Sequence, residues 1–267
     1  MAEPIVVSEL HIYPIKSTRG ISLHQAQLGA RGFERDRRWM IVDAEGLFIS
    51  QRTHPRLALI STELSPDAIC VGAPGMEMLK LPIAHRGNER GRVQVWDDVV
   101  EAIPFTALAH QWFSEFLGVQ CRVVYMPDET VRRVNPPYGG ETDVVSFADA
   151  FPVLLISQPS LDDLNTRLSR PVPMNRFRPN IVVRGCAPYD EDRWKKFRVG
   201  DVVFQGVKRC SRCVTTTVDQ ATGTRGDEPL ATLARYRNVD GKVYFGQNLL
   251  PVTTGPLHVG DRVELIT

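Results

Sequence analysis

The chain has 267 residues and 30.0 kDa, with 32 Lys plus Arg against 31 Asp plus Glu, a formal net charge of +1. That balance gives no support for a nucleic-acid polymer gripped through bulk charge, and 43% hydrophobic with 24% charged residues argues against disorder. No apolar run approaches the roughly 18 residues of a membrane span, the stretch 151–156 being among the longest, and the start MAEPIVVSEL has neither the basic region nor the apolar run of a signal peptide. No membrane partner is therefore expected. Five cysteines, odd in number and scattered, argue against a disulfide framework and for a reducing, cytoplasmic setting.

In chain order the pattern is strand-rich. Residues 5–15 form an apolar, branched run that ends at a bend marked by Pro14. Residues 39–42 and 47–50 flank Asp43-Ala44-Glu45-Gly46 and read as a hairpin. Further strands are expected at 56–63, 92–96, 122–125, 180–183, 201–207, 213–218, 243–246 and 262–267. Three helices are expected. The first carries Leu108, Trp112, Phe113, Phe116 and Leu117 and is closed by Gly118. The second carries Leu161, Leu164 and Leu168 after Ser157 and Pro159, and the third carries Leu230 and Leu233 after Asp227 and Pro229. Few helices among many strands predict barrels or sandwiches with helices attached, a mainly β fold. The Pro- and Gly-rich stretch 126–142, which contains Arg132-Arg133, reads as a linker or an active-site loop and sets a boundary after residue 125.

Several segments can carry chemistry. Cys210-Ser211-Arg212-Cys213 is a CxxC at the start of an expected strand, beside Lys208 and Arg209. It can be part of a zinc site, although no second CxxC or His pair accompanies it. It can be a redox pair, although the β-branched run that follows suits a strand better than the helix such pairs open. It can supply one soft metal ligand or nucleophile, or both thiols can be small buried hydrophobes. Lys16 and Ser17 end the first strand with a cation and a hydroxyl suited to an anion. In Arg35-Asp36-Arg37-Arg38-Trp39, alternation puts Arg37 and Trp39 on one face; the bland alternative is a surface ion pair with Asp36. Pro179 holds Arg178 extended, so that its guanidinium can clamp a phosphate, with the Asn180 amide beside it. Gly246, in Phe245-Gly246-Gln247-Asn248, permits the close approach of a ligand. Nucleotide, zinc-protease and esterase motifs do not occur, and the histidines, His85 among them, are dispersed.

Together, YPIKS, RDRRW, NRFRPNIVV, CSRCVTTTVD with TG following, EPLATL and FGQN resemble, in that order and over essentially the whole chain, the MOSC proteins that carry a MOSC N-terminal barrel. The bacterial YcbX-like proteins and the mitochondrial amidoxime reducing component are similar to it. The resemblance implies two β-barrel-type domains, residues 1–125 and 126–267, around a molybdenum cofactor, a pyranopterin dithiolene. By that resemblance Cys213 is the metal ligand and Cys210 is not. Lys16, Ser17, Arg37 and Arg178 match residues that hold the cofactor, and Asn180, Ser211, Arg212 and Asn248 share the same motifs. The loop 146–152 corresponds to one that faces the cofactor. It carries Ala150 and Phe151 where the mitochondrial relatives have hydroxyls, leaving Asp149 as its candidate side chain. The implied activity is reduction of a small N-hydroxylated substrate (an amidoxime, a hydroxylamine or an N-hydroxylated base). The chain lacks the C-x4-C-x2-C spacing of a ferredoxin module, so electrons are expected from a separate donor protein of ferredoxin or reductase type. The alternative is a non-catalytic carrier of cofactor or sulfur.

Overall fold

A computed structural model describes residues 3–83 and 89–266; His85, and Thr267 at the end of the last expected strand, lie outside the described residues. Among these the fold is mainly β with three α-helices, Ala107–Leu117, Gln158–Thr166 and Leu230–Tyr236. The first helix forms where its apolar spacing predicts. Thr106 caps its start by accepting from Ala109 N, and Gly118 ends it at φ 71°, a conformation that costs glycine least. Its exposed Leu108 is the one residue of the expected apolar face that faces solvent. No helix of the described residues is long and apolar enough to cross a membrane.

The largest sheet has nine strands among the described residues. Its order is Val263–Leu265, Lys196–Val199, Val202–Ser211, Lys242–Pro251, Val153–Ser157, Ile181–Arg184, Val6–Ile12 and Ile21–Leu23, with Asn238–Val239 pairing on Lys242–Pro251. The first strand of the chain thus pairs with Ile181–Arg184, so a segment of the expected N-terminal domain is built into the sheet of the second half. One core joins Val7, Leu10, Ile12, Ala26, Leu28 and Phe33 to Leu155, Phe197 and Phe204. A second packs the first helix, through Trp112, Phe113 and Phe116, on Trp39, Ile41 and Val123. The strand Trp39–Val42 is buried on both faces, because Met40 and Val42 serve a third core with Val93, Val95 and Phe147.

Three expectations fail for local reasons. Residues 56–63 are not one strand: Pro55, whose ring presets a helical φ, opens a 3-10 turn over Pro55–Leu59, and Ser61–Leu64 follows as the strand. The CxxC lies at the end of a strand, Val202–Ser211, not at the start of one. Beyond it Val214–Thr217 is a 3-10 turn rather than extended. There the Thr216 and Thr217 hydroxyls donate to the carbonyls of Cys213 (2.9 Å) and Val214 (2.8 Å), satisfying backbone acceptors that a strand would have left for a neighbour.

Gly246 also departs from expectation. Its neighbour is not a ligand but the adjacent strand: a Cβ there would lie 2.6 Å from Ile156 Cγ1 and 2.9 Å from Leu155 O, at φ 83°. Gly246→Ala is expected to destabilise the fold by about 2–4 kcal/mol through backbone strain and overpacking. A thermal melt unchanged from the parent would contradict this.

Candidate functional site

Turns between strands bring the cationic side chains together. After Val6–Ile12 the chain runs through buried Tyr13 and Ile15 to Lys16, whose backbone N–H donates to Trp39 O (2.8 Å). Lys16 is itself buried. Its ammonium donates to Phe147 O (2.7 Å) and to Asp149 Oδ1 (2.5 Å). Burial pulls the Lys16 ammonium below its ordinary value, and Asp149 works against that. For Asp149, enclosure opposes ionisation, but Lys16 and the Trp96 indole N–H (3.2 Å) outweigh it and hold the carboxyl well below the usual carboxylate range.

Arg37 is not extended beside Trp39. It sits at φ 48° in the turn before the strand, so alternation does not govern where it points. Its guanidinium donates to Asp36 Oδ2 (2.6 Å), Asn180 Oδ1 (3.1 Å) and Arg178 O (3.2 Å). The Asp36 partner is 1% exposed and also accepts from Tyr13 N (2.7 Å), which makes this a buried pair and not a surface one. Arg178 sits at φ 56° rather than extended, and donates to Thr18 O (2.6 Å). The guanidinium carbons of Arg37 and Arg178 each lie 4.2 Å from the Tyr13 ring centroid, in cation–π range. Burial lowers Arg178 to about 10, and the nearby Arg37 adds to the strain of charge. Asn180 spends its amide internally, donating to His11 O (3.1 Å) and accepting from Leu154 N (3.2 Å) as well as from Arg37; it acts on the site through Arg37.

On the other side, the end of Val202–Ser211 carries the cysteines. Arg212 donates to Cys210 Sγ (3.2 Å) and to Phe177 O (2.8 Å), while its buried Nε has no partner among the described residues. Burial raises the Cys210 thiol, with Arg212 opposing. Cys213 is partly exposed, and its Sγ lies 3.4 Å from Thr215 Oγ1.

A cavity of about 270 Å³ lies between these two sides. All ten residues singled out from sequence line it: Lys16, Ser17, Arg37, Asp149, Arg178, Asn180, Ser211, Arg212, Cys213 and Asn248. Two residues that sequence reasoning missed matter as much. Tyr13 is the ring between Arg37 and Arg178, and its place in YPIKS was its only signal. Arg176 is buried and donates to Thr216 O (2.9 Å), Thr217 O (3.1 Å), Glu228 O (3.0 Å) and Asp219 Oδ2 (3.2 Å), fixing the turn that follows Cys213. Of Arg132 and Arg133, the first is buried. It pins the loop 146–149 through Ser146 O (2.8 Å), Ala148 O (2.5 Å) and Asp149 O (3.0 Å).

The cavity wall holds eight cations (Lys16, Arg37, Arg52, Arg176, Arg178, Lys208, Arg209, Arg212) and one carboxylate, Asp149. Beyond the partners that Asp36, Asp149 and Asp219 supply, an anion in the cavity would offset the cost of holding so many like charges together. Among the described residues no three His, Cys, Asp or Glu side chains converge on a metal position. A metal at Cys213 would therefore bring most of its own ligands.

A model of the MOSC N-terminal beta barrel domain matches residues 5–120, and one of the MOSC domain matches residues 142–264. The chain belongs to the MOSC family. It is 38% identical to Mitochondrial amidoxime-reducing component 1 of Mus musculus, over 97% of this chain and 82% of that protein. It is 36% identical to the Homo sapiens protein of the same name, over 97% and 82%. It is also 36% identical to Mitochondrial amidoxime reducing component 2 of Bos taurus, over 96% and 82%. The MOSC-family assignment covers both sides of the cavity, with Lys16 and Arg37 in the first match and Asp149, Arg178 and Cys213 in the second.

Proposed function

We propose that this MOSC-family chain is an oxidoreductase that binds the molybdenum cofactor and reduces small N-hydroxylated compounds (amidoximes, hydroxylamines and N-hydroxylated bases) with electrons from a separate donor protein of ferredoxin or reductase type. The observation that carries the reading is a pair of partly exposed thiols, Cys210 and Cys213, the first of which receives Arg212, set in a cavity wall of eight cations and one carboxylate. A pterin phosphate and a sulfur-rich metal centre suit that donor set: hard cations for the phosphate, a soft thiolate for the metal. The names of the relatives, amidoxime-reducing components, support the substrate class. Five free cysteines fit a cytoplasmic, reducing compartment.

In this reading Lys16, Arg37 and Arg178 hold the phosphate and pterin side, joined by Ser17, Ser211, Arg212 and Asn248, and Cys213 supplies the protein thiolate. When bound, the cofactor would supply the two electrons that the reduction needs. The substrate R–C(NH2)=NOH takes up two electrons and two protons, its N–O bond breaks, and R–C(NH2)=NH and water leave. The chain's own part is to orient. The buried Asp36–Arg37 pair and the Arg132-pinned loop fix the wall, so that the charged groups need not reorganise during the reaction. Asp149, held ionised by Lys16, accepts hydrogen bonds and is not the proton donor.

The test is turnover. The purified protein, reduced by a viologen dye, is expected to convert benzamidoxime to benzamidine. A protein that contains the cofactor and never turns over with any donor would instead fit a carrier.

A further inference from the structure

A second cavity, of about 590 Å³, adjoins the first and shares with it Arg52, Trp96, Asp149 and Ala150. Its size falls within the range of small-molecule sites, and its electrostatics differ from those of its neighbour. Three arginines, Arg52, Arg132 and Arg133, face three carboxylates, Asp97, Asp98 and Asp149, and Arg132 and Asp98 already neutralise each other at 2.7 Å. The first cavity selects an anion. In the second, with Asp149 shared with Lys16 of the first, arginines and carboxylates come close to balance, so an uncharged occupant fits it better than an ion does.

The shared neck is built around Trp96. This large residue sits at φ 57°, in the turn between the strands Gly91–Val95 and Asp98–Pro104. A bulky side chain in the left-handed region persists only where its surroundings over-determine it. Three contacts do so: the indole N–H donates to Asp149 Oδ1 (3.2 Å), the Arg52 guanidinium lies 4.1 Å from a ring centroid, and the Phe48 ring lies 4.9 Å away. The outer rim carries Asn135 and Pro136.

We propose that the second cavity seats the organic group of the substrate, an uncharged group, while the N–OH end reaches the first cavity alongside the stacked Trp96 and Arg52 side chains that the two cavities share. Trp96 and the rim residue Asn135 then determine specificity. This rests on the reductase reading above, and the test separates the two. Asn135 is exposed, so Asn135→Trp fills the chamber without disturbing the core; Trp96→Ala removes the largest side chain that the two cavities share. For both variants, with melting temperatures recorded, the ratio of kcat/KM for benzamidoxime to that for hydroxylamine is expected to fall about tenfold or more. Independently of turnover, benzamidoxime binding followed by saturation-transfer NMR is expected to weaken by a similar factor in Asn135→Trp. A folded Asn135→Trp protein whose benzamidoxime affinity stays within about twofold of the parent overturns the chamber, whether or not the protein is a reductase. Wild-type protein that binds benzamidoxime in this chamber but reduces neither compound overturns the reductase reading and leaves the chamber standing.

Discussion

Replacing Cys213 by Ala is expected to remove benzamidoxime reduction while leaving the fold intact. The thiol is partly exposed on the cavity wall and belongs to none of the hydrophobic cores. Its side-chain contact with Thr215 is long, at 3.4 Å. Removing it therefore costs the fold within about 1 kcal/mol. The cost to activity is of another order. Residues that merely orient a metal ligand cost about 10–100-fold when lost, and the ligand itself costs more, so turnover is expected to fall at least about a hundredfold. Cys210→Ala is the control. Cys210 receives Arg212 at 3.2 Å, so under the proposed roles its loss loosens Arg212 but leaves the metal ligand in place, and activity is expected to fall by less than in Cys213→Ala. Steady-state turnover and thermal melts on both variants decide the matter. An active Cys213→Ala beside an inactive Cys210→Ala would reverse the roles of the two cysteines.

The second large effect is expected at Arg176, a residue without any reaction chemistry of its own. The residue is 7% exposed, and its guanidinium satisfies the carbonyls of Thr216, Thr217 and Glu228. Arg176→Met keeps the bulk and removes the donors. Stranded buried acceptors cost about 1–3 kcal/mol each, so a total loss of about 3 kcal/mol or more is expected. Because Thr216 donates back to Cys213 O at 2.9 Å, the turn that sets the Cys213 thiol loosens together with the fold. Bound metal is expected to fall along with the melting temperature. Arg176→Lys keeps the charge but not the planar fork, and is expected to recover only part of either. A melt and a metal analysis on the two variants test this; Arg176→Met with parental values of both would contradict it.

The contrast between these two residues shows what could be read from the chain. Cys213 is set apart from Cys210 only by the resemblance of its motif, since residue type and spacing leave the two thiols alike. Arg176 lies two residues before Arg178 in the same motif, and only the folded turn shows that it serves carbonyls some forty residues away. Elements closed by local signals were legible: the helix Ala107–Leu117 with its Gly118 cap, and the strand Arg122–Tyr125. The turn Val214–Thr217 was not. Its β-branched residues favour a strand, and side-chain hydroxyls, with Arg176 added from a distance, override that preference. The pairing of Val6–Ile12 with Ile181–Arg184 is likewise a non-local choice. The positive φ values of Ser17, Arg37 and Arg178 place three site residues in turns whose conformation no periodicity reports. That cations, thiols and amides from several motifs share one cavity wall was legible only through the resemblance of those motifs. The adjoining cavity was not legible, since Arg52, Trp96 and Asn135 belong to no motif and meet only through the fold.

The central claim is that the cationic cavity holds a molybdenum cofactor through Cys213, and metal analysis tests it most directly. Protein purified from cells supplied with molybdate is expected to contain stoichiometric molybdenum and to release a fluorescent pterin on oxidation. Protein from the same cells that carries neither, yet reduces benzamidoxime, would contradict the account.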